Sequence, residues 1–552
     1  MHLSSTRILL LSMALFCTGY IPAQDAQLFF PDGNEPKKAN PLAFVDIAPA
    51  VAAPTVNVTV FPSAAIAVVS KYIYGNNANV YMSQMVTEAD LMGYIRLLSP
   101  HVIRYPGGNL SNLFFWNAAP GELPCDVPKP LWTGTEKRNK EKFWYGKNDK
   151  STALSVDNYY RMLDEVGAEG NICVNYGYAR YGLSHDPVGK AAHLAADWVR
   201  YDKGRTRYWE IGNENYGNWQ AGYRIDTSIS KDHQPEIITG DLYGKHFKVF
   251  VDSMRKAAAE TGCDIKIGAV LVEVEKDYGT EKEKSWNDDF FKAAGDAADF
   301  FVVHSYYTPY MEDSDVPVIL NSAAKETKKI ADHMQDVCRR NKVELKPIAL
   351  TEWNIFAIRS KQSCSYINGM HAVLVLGELV KNQVGMANRW NFANGYDRGD
   401  DHGMFNIGDE AGVPKWNPRP AFYYMYYFQQ FFGDRMVTTQ TSGNDEVVVY
   451  GSSFHSGETG LVVVNKSNHN QVVRIAVEKP EKSGRYYYYS LTGGEDNRPF
   501  SQQVFVNGYP PSYKTGGPID HLTEIKALSS TYDKEGIIIE CPAYSVQFIR
   551  MD

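Results

Sequence analysis

Apolar and polar positions divide the chain into two regimes. Between about residues 72 and 432, short apolar runs of strand length alternate with longer segments of helical period, the pattern of parallel β/α units. The runs are Tyr72 to Gly75, Val102 to Tyr105, Asn171 to Asn175, Tyr208 to Ile211, Ile265 to Ala269, Phe300 to His304, Pro347 to Thr351 and Met386 to Asn391. Eight such units predict a (β/α)8 TIM barrel, whose functional groups lie at the C-terminal ends of the strands. Beyond about Phe432 the strands lack intervening helices: Glu446 to Tyr450, Leu461 to Asn465, Val472 to Val477, Tyr486 to Leu491, Gly536 to Cys541 and Ser545 to Arg550. That is the signature of a C-terminal β-sandwich. Expected boundaries are a lead-in over 24–54, a barrel over 55–432 and a sandwich over 433–552, with an early strand, Val56 to Phe61, able to pair into the sandwich.

Residues 1–23 read as an export signal: Arg7, an apolar run from Ile8 to Phe16, then small or turn-forming residues to Ala23. No later segment offers the roughly 20 apolar residues of a membrane span. The expected location is therefore the periplasm, the cell surface or the medium. Cys17 suggests a lipid anchor, but Phe16 before it is bulkier than the small residue such a site needs. The remaining cysteines, Cys125, Cys173, Cys263, Cys338, Cys364 and Cys541, show no metal-like spacing and leave disulfide pairing open. Asn34 to Pro54 is rich in Pro and Ala and reads as a linker.

Composition narrows the function. A formal charge of −8 argues against nucleic acid or an anionic membrane as partner. Aromatic residues reach 13%, compatible with stacking on sugar faces and equally with thick β-structure. The histidines show none of the spacings of a zinc enzyme, and no glycine-rich loop joins a strand to a helix, so no metal or cofactor is expected.

Two segments carry the chemistry. Trp209-Glu210-Ile211-Gly212-Asn213-Glu214-Asn215 and Ile348-Ala349-Leu350-Thr351-Glu352-Trp353-Asn354 each run an apolar stretch into a glutamate, at the ends of the fourth and seventh expected strands. Strand ends present a carboxylate at the barrel mouth. Two of them across one bond supply what glycoside hydrolysis needs, one carboxyl to protonate the leaving oxygen and one to attack or to activate water. Either glutamate alone also reads as a solvated strand-end carboxylate.

Around them, Arg104-Tyr105-Pro106-Gly107-Gly108-Asn109, Gly212-Asn213-Glu214, His304-Ser305-Tyr306 and Glu352-Trp353-Asn354 together resemble the strand-end motifs of glycoside hydrolase family 51. Its members are α-L-arabinofuranosidases and some endoglucanases of the retaining clan A. The resemblance implies Glu214 as acid/base, Glu352 as nucleophile, Tyr306 as hydrogen-bond donor to that nucleophile, and Arg104 and Asn109 as polar groups holding nucleophile and sugar. Asn213 is placed to meet a sugar 2-hydroxyl, and His304 reads as a hydrogen-bonded rim histidine or a direct sugar contact. Two departures stand out. Tyr74-Gly75-Asn76-Asn77 replaces the family's Tyr-Gly-His, leaving Asn77 to line the sugar pocket, and Thr351 replaces the Asp before the nucleophile.

Long rim segments, Cys125 to Lys150 and Tyr216 to Asp241, read as substrate walls. Trp116, Trp144, Trp219 and Trp390 are candidate stacking platforms or packing residues, and Asn391 and Asn394 can approach from the eighth strand. The expected protein is an exported retaining glycosidase on polysaccharide or oligosaccharide, most like an arabinofuranosidase. An endo-β-glycanase of the same clan and an inactive glycan-binding barrel are the alternatives.

Overall fold

The computed structural model describes residues 30–131, 142–275, 281–478 and 483–552. The export signal, Cys17 and most of the charged run from Glu136 to Lys142 lie outside the described residues. Eight parallel strands close into a barrel: β1 (Gly75–Asn77), β2 (Val102–Tyr105), β3 (Glu169–Val174), β4 (Tyr208–Ile211), β5 (Lys266–Val270), β6 (Phe300–Tyr306), β7 (Ile348–Asn354) and β8 (Met386–Arg389). Nearly all their residues are buried, because helices cover the outside of the barrel and side chains fill its lumen, and polar residues such as Arg104, Asn171, Glu210 and Asn388 are buried among the apolar ones.

The first strand departs from expectation. Tyr72 and Ile73, the apolar residues expected to begin it, form a 3-10 turn at Lys71–Ile73, with the Ser70 hydroxyl accepting from the Tyr72 amide. Pairing starts only at Gly75, where a Cβ would lie 2.4 Å from the Ala387 carbonyl. Closure against β8 therefore takes a residue without a side chain, followed by two asparagines that apolar patterning does not mark as a strand.

The lead-in is no loose linker. Phe30 packs edge-on against Tyr72, Tyr208 and Phe300, and the last two are the first residues of β4 and β6, so the ring seals the N-terminal end of the barrel. Asp32 accepts from the Tyr72 hydroxyl at 2.8 Å and from Tyr208. Lys37 donates to the carbonyls of Gln429 and Phe432, at the C-terminal end of the helix Pro420–Phe431. Phe44–Asp46 then adds a parallel edge strand beside Ala527–Tyr532. One aromatic ring, one aspartate and one lysine fasten the lead-in to the barrel.

The C-terminal region is largely β, part of an eleven-stranded sheet that also takes in Phe44–Asp46 and Val56–Val68 and surrounds its own core. Val56–Val68, longer than the strand expected, lies within it between Arg435–Ser442 and Gln471–Val477. Val56, Val58, Val60, Val463, Ile475, Ile539 and Ile549 fill that inner core. Val462, Val464, Tyr489 and Phe548, on the other face, belong to the core shared with the barrel. There Tyr489 packs on Tyr427 and Phe431 of Pro420–Phe431, with 4.6 Å between the Tyr489 and Tyr427 rings. Strand alternation thus splits the Tyr486 to Tyr489 cluster: Tyr486 faces the inner core, and Tyr487 and Tyr489 face the core shared with the barrel. The six described cysteines are free thiols, four of them buried on separate elements.

Candidate active site

Each catalytic candidate is delivered by a local irregularity at the mouth of the barrel. β4 ends at Ile211, and Gly212 follows with φ +82°, where a Cβ would meet the Asn215 side chain at 2.4 Å. Glu214 itself takes φ +42°, a left-handed conformation that costs a residue with a Cβ about 1–3 kcal/mol and recurs at functional sites. On the opposite side, Glu352 lies within β7. The register between β6 and β7 slips there, pairing Val303 with Leu350 but His304 with Glu352, so Thr351 is the extra residue of a bulge.

His304 stands between the two carboxylates. Its Nδ1 is 3.1 Å from Glu214 Oε1 and 3.6 Å from Glu352 Oε2, and its Nε2 is 3.2 Å from the Thr351 hydroxyl. One ligand-type atom from each of Glu214, His304 and Glu352 falls within 4.8 Å of the others. Reading the histidine spacing along one chain segment found no such group, because its members come from three different strands. The Thr351 departure acquires a function here: its hydroxyl sits against the far nitrogen of the imidazole that reaches both glutamates.

Each carboxylate has its own donors. The Tyr306 hydroxyl donates to Glu352 Oε1 at 2.6 Å, a short charge-assisted bond. Trp219 Nε1 donates to Glu214 Oε2 at 2.8 Å, and Gln220 Nε2 bridges that oxygen, at 3.3 Å, to Asn109 Oδ1, at 2.7 Å. Burial raises the Glu352 pKa, and the Glu214 charge adds to it; His304, Arg104 and the Tyr306 hydrogen bond pull the other way without reversing the rise.

Arg104 corrects the expectation that it serves Glu352 first. Its Nε lies 2.9 Å from Glu210 Oε2, whereas Nη1 reaches Glu352 Oε2 only at 3.4 Å. Glu210, itself fully buried in β4, also accepts from Asn171 at 2.7 Å. Patterning hid this pair: Glu210 was read only as part of the strand leading to Glu214, although a buried arginine requires a buried counter-charge. Nη2 of Arg104 donates to Asn213 Oδ1 at 2.9 Å, which orients the Asn213 amide and leaves its Nδ2 without a partner in the protein.

Two proposed sugar contacts are overturned. Asn77 is completely buried: its amide nitrogen donates to the carbonyls of Thr351 and Asn388, and its oxygen accepts from Arg104. It ties the barrel strands together, with both N–H donors spent inside the barrel and the side chain out of contact with the mouth. Trp116 is buried against Trp198, ring centroids 5.7 Å apart, with its indole nitrogen on the Leu194 carbonyl, so it is packing. Trp219, by contrast, is 43% exposed beside Glu214. Trp390 is half-buried over Gly108, where a Cβ would collide with its ring at 2.4 Å, which explains a glycine at that point of the second-strand loop. Trp144 is half-buried under Lys142, and Asn391 is buried, bonded to Asn79 and Tyr81.

Comparison with known proteins bears on the family and the fold. Residues 94–315 match the family model described as the alpha-L-arabinofuranosidase 1 domain. An intracellular exo-α-(1→5)-L-arabinofuranosidase of Streptomyces lividans is 24% identical over 292 residues, half of this chain and 38% of that protein. A probable α-L-arabinofuranosidase C of Aspergillus niger is 24% identical over 153 residues, 24% of this chain and 25% of its own length. The aligned parts thus span well under two thirds of these curated relatives. Among solved structures, the α-L-arabinofuranosidase of Thermotoga maritima in complex with arabinose superposes with a TM-score of 0.62 at 18% identity, covering 90% of this chain and 99% of that one. The family 51 enzyme of Thermotoga petrophila gives 0.64 at 17% identity, with 90% and 100% covered. The barrel and the β region are thus the fold of these enzymes, and the likeness to family 51 read from the motifs stands.

Proposed function

We propose that the chain is a retaining glycoside hydrolase that removes α-L-arabinofuranosyl units from a polysaccharide or oligosaccharide. The observation that carries this reading is the meeting of Glu214 and Glu352 around His304 at the barrel mouth, with oxygens of both within 4.8 Å of one imidazole nitrogen and of each other. Retaining enzymes hold their carboxyls about 5–5.5 Å apart, and inverting enzymes hold them farther apart to admit a water.

The donors divide the roles. Glu352, ionised, attacks the anomeric carbon as Glu214 protonates the departing oxygen; Glu214, now a carboxylate, then takes a proton from the water that cleaves the glycosyl-enzyme ester. Tyr306 fixes one oxygen of Glu352 and leaves the other to attack. Arg104, held by Glu210, aims Asn213 at the 2-hydroxyl, a contact that strengthens as charge develops. His304 reaches both glutamates through Nδ1, and Trp219, half in solvent beside the acid, offers its ring to the leaving group's side. Export to the cell envelope or medium suits a polymeric substrate and belongs to the same proposal.

The test is a panel of aryl glycosides with intact arabinan, arabinoxylan and β-glucan, following the anomeric configuration of the first product by NMR. Release of arabinose with retained configuration is the expected result. Cleavage of internal β-glucan bonds instead makes the chain an endo-glycanase, and binding without turnover makes it a glycan-binding barrel.

A further inference from the structure

Away from the barrel mouth, a cavity of about 180 Å³ opens where the barrel meets the β region. The barrel contributes the first two turns of the helix Val316–Asn341, with Pro317, Leu320 and Asn321; the β region contributes Glu446, Lys466 and Tyr544 from three loops, with Asn468 beside them. Nothing in the mechanism above uses these groups.

Its lining has the mixture that a neutral sugar requires. Pro317, Leu320 and the Tyr544 ring provide apolar surface for the C–H face of a pyranose or furanose. Around them stand a cation, an anion and two carboxamides, so the wall carries both donors and acceptors and no net charge. A phosphate or a polyanion would find one lysine opposed by Glu446, and a purely apolar ligand would strand four polar groups.

The cleft is also preset. Lys466, partly buried, has its Nζ on Asn321 Oδ1 at 2.7 Å, a bond that crosses from β region to barrel at the opening. Burial lowers the Lys466 pKa, while Asp445, Glu446 and Glu378 oppose that fall. Tyr544 sits at φ +47°, left-handed for a residue with a Cβ, with its amide on the Ser467 carbonyl at 3.0 Å. Holding a tyrosine rather than a glycine in that conformation costs about 1–3 kcal/mol, and here the ring so placed lines the cavity.

We infer that this cleft is an accessory binding site for one neutral sugar unit of a polysaccharide, separate from the catalytic centre and built jointly by barrel and β region. The inference rests on the proposal that the substrate is a carbohydrate polymer. Occupancy of the cleft would anchor the polymer as the barrel mouth works on another part of it, raising the effective concentration of cleavable bonds without altering the chemistry.

The experiment uses the full chain. Affinity electrophoresis in gels containing arabinan, arabinoxylan or β-glucan compares the parent protein with Tyr544→Ala and with the double variant Asn468→Ala/Glu446→Ala, whose residues are exposed and so leave the fold intact. The same proteins are assayed on a small aryl glycoside. Both variants should be retarded roughly five- to tenfold less by at least one of the polysaccharides, with unchanged turnover of the aryl glycoside. Equal retardation of parent and variants, or no retardation of the parent by any polysaccharide, overturns the accessory site. Failure of the catalytic proposal has a different mark, absence of aryl glycoside turnover by the parent, and the retardation comparison still decides the cleft in that case.

Discussion

In the proposed mechanism Glu352 attacks as a carboxylate, yet it is buried and faces a second carboxylate, so its immediate donors would set the pH dependence of that step. Its raised pKa places the acid limb of the first chemical step above the ordinary carboxylate range. Two substitutions should move that limb in opposite directions. Glu214→Gln removes the neighbouring negative charge and should shift it to lower pH; Tyr306→Phe removes a hydrogen bond that favours the ionised form and should shift it to higher pH. The readout is the burst of phenol from an activated aryl glycoside, which needs no protonation of the leaving group. Shifts of the same sign in the two variants would mean that Glu352 is not the titrating group. Tyr306→Phe should also slow this step by about 10- to 100-fold, the worth of a hydrogen bond to a charged group. Glu214→Ala should lower turnover of a natural glycoside by about 10²- to 10⁴-fold and largely spare the burst; equal losses on both substrates would remove Glu214 from the acid's role.

At the scale of elements, legibility followed burial. Seven of the eight barrel strands lie close to the apolar runs that mark them, since a parallel strand covered on both sides leaves an uninterrupted apolar signal. β1 was displaced because its residues answer to close approach and hydrogen bonding, with Gly75 against a backbone carbonyl and Asn77 spent on three neighbouring strands. Glu214, Glu352 and Tyr306 were readable as strand-end motifs. His304 as the group shared by both carboxylates and Glu210 as the partner of Arg104 were not, because both facts depend on which strands stand opposite one another. The lead-in was misread for a related reason: its anchors are single residues, Phe30 and Lys37, without period. Phe30→Ala should therefore destabilise the protein by about 3–5 kcal/mol through the cavity left under Tyr72, Tyr208 and Phe300, visible as an earlier thermal transition, with little change in kcat at 25 °C. An unaltered transition would show that the segment only rests on the barrel.

For the molecule as a whole, the β region behaves as a wall of the barrel. Tyr489 and Phe548 pack on Tyr427 and Phe431, the Tyr450 hydroxyl donates to Glu378 at 3.0 Å, and Val56–Val68 draws its partners from beyond residue 432. Ending the chain after Phe432 would expose those apolar surfaces and leave Val56–Val68 without neighbours, so the product should be insoluble or unfolded, as judged by size-exclusion chromatography and circular dichroism. A soluble, folded barrel with full activity on small substrates would instead make the β region an independent module. Among the described residues no helix is long and apolar enough to cross a membrane.

The central claim, a covalent glycosyl-enzyme on Glu352 formed across from Glu214, is tested most directly by mass spectrometry of the Glu214→Ala protein mixed with an activated aryl α-L-arabinofuranoside. Without its acid/base the protein should form the ester faster than it hydrolyses it, gaining the mass of one arabinosyl unit, and proteolysis should place that mass on the peptide containing Glu352. An adduct on any other residue, or phenol release with no adduct and with inverted product, would contradict the account.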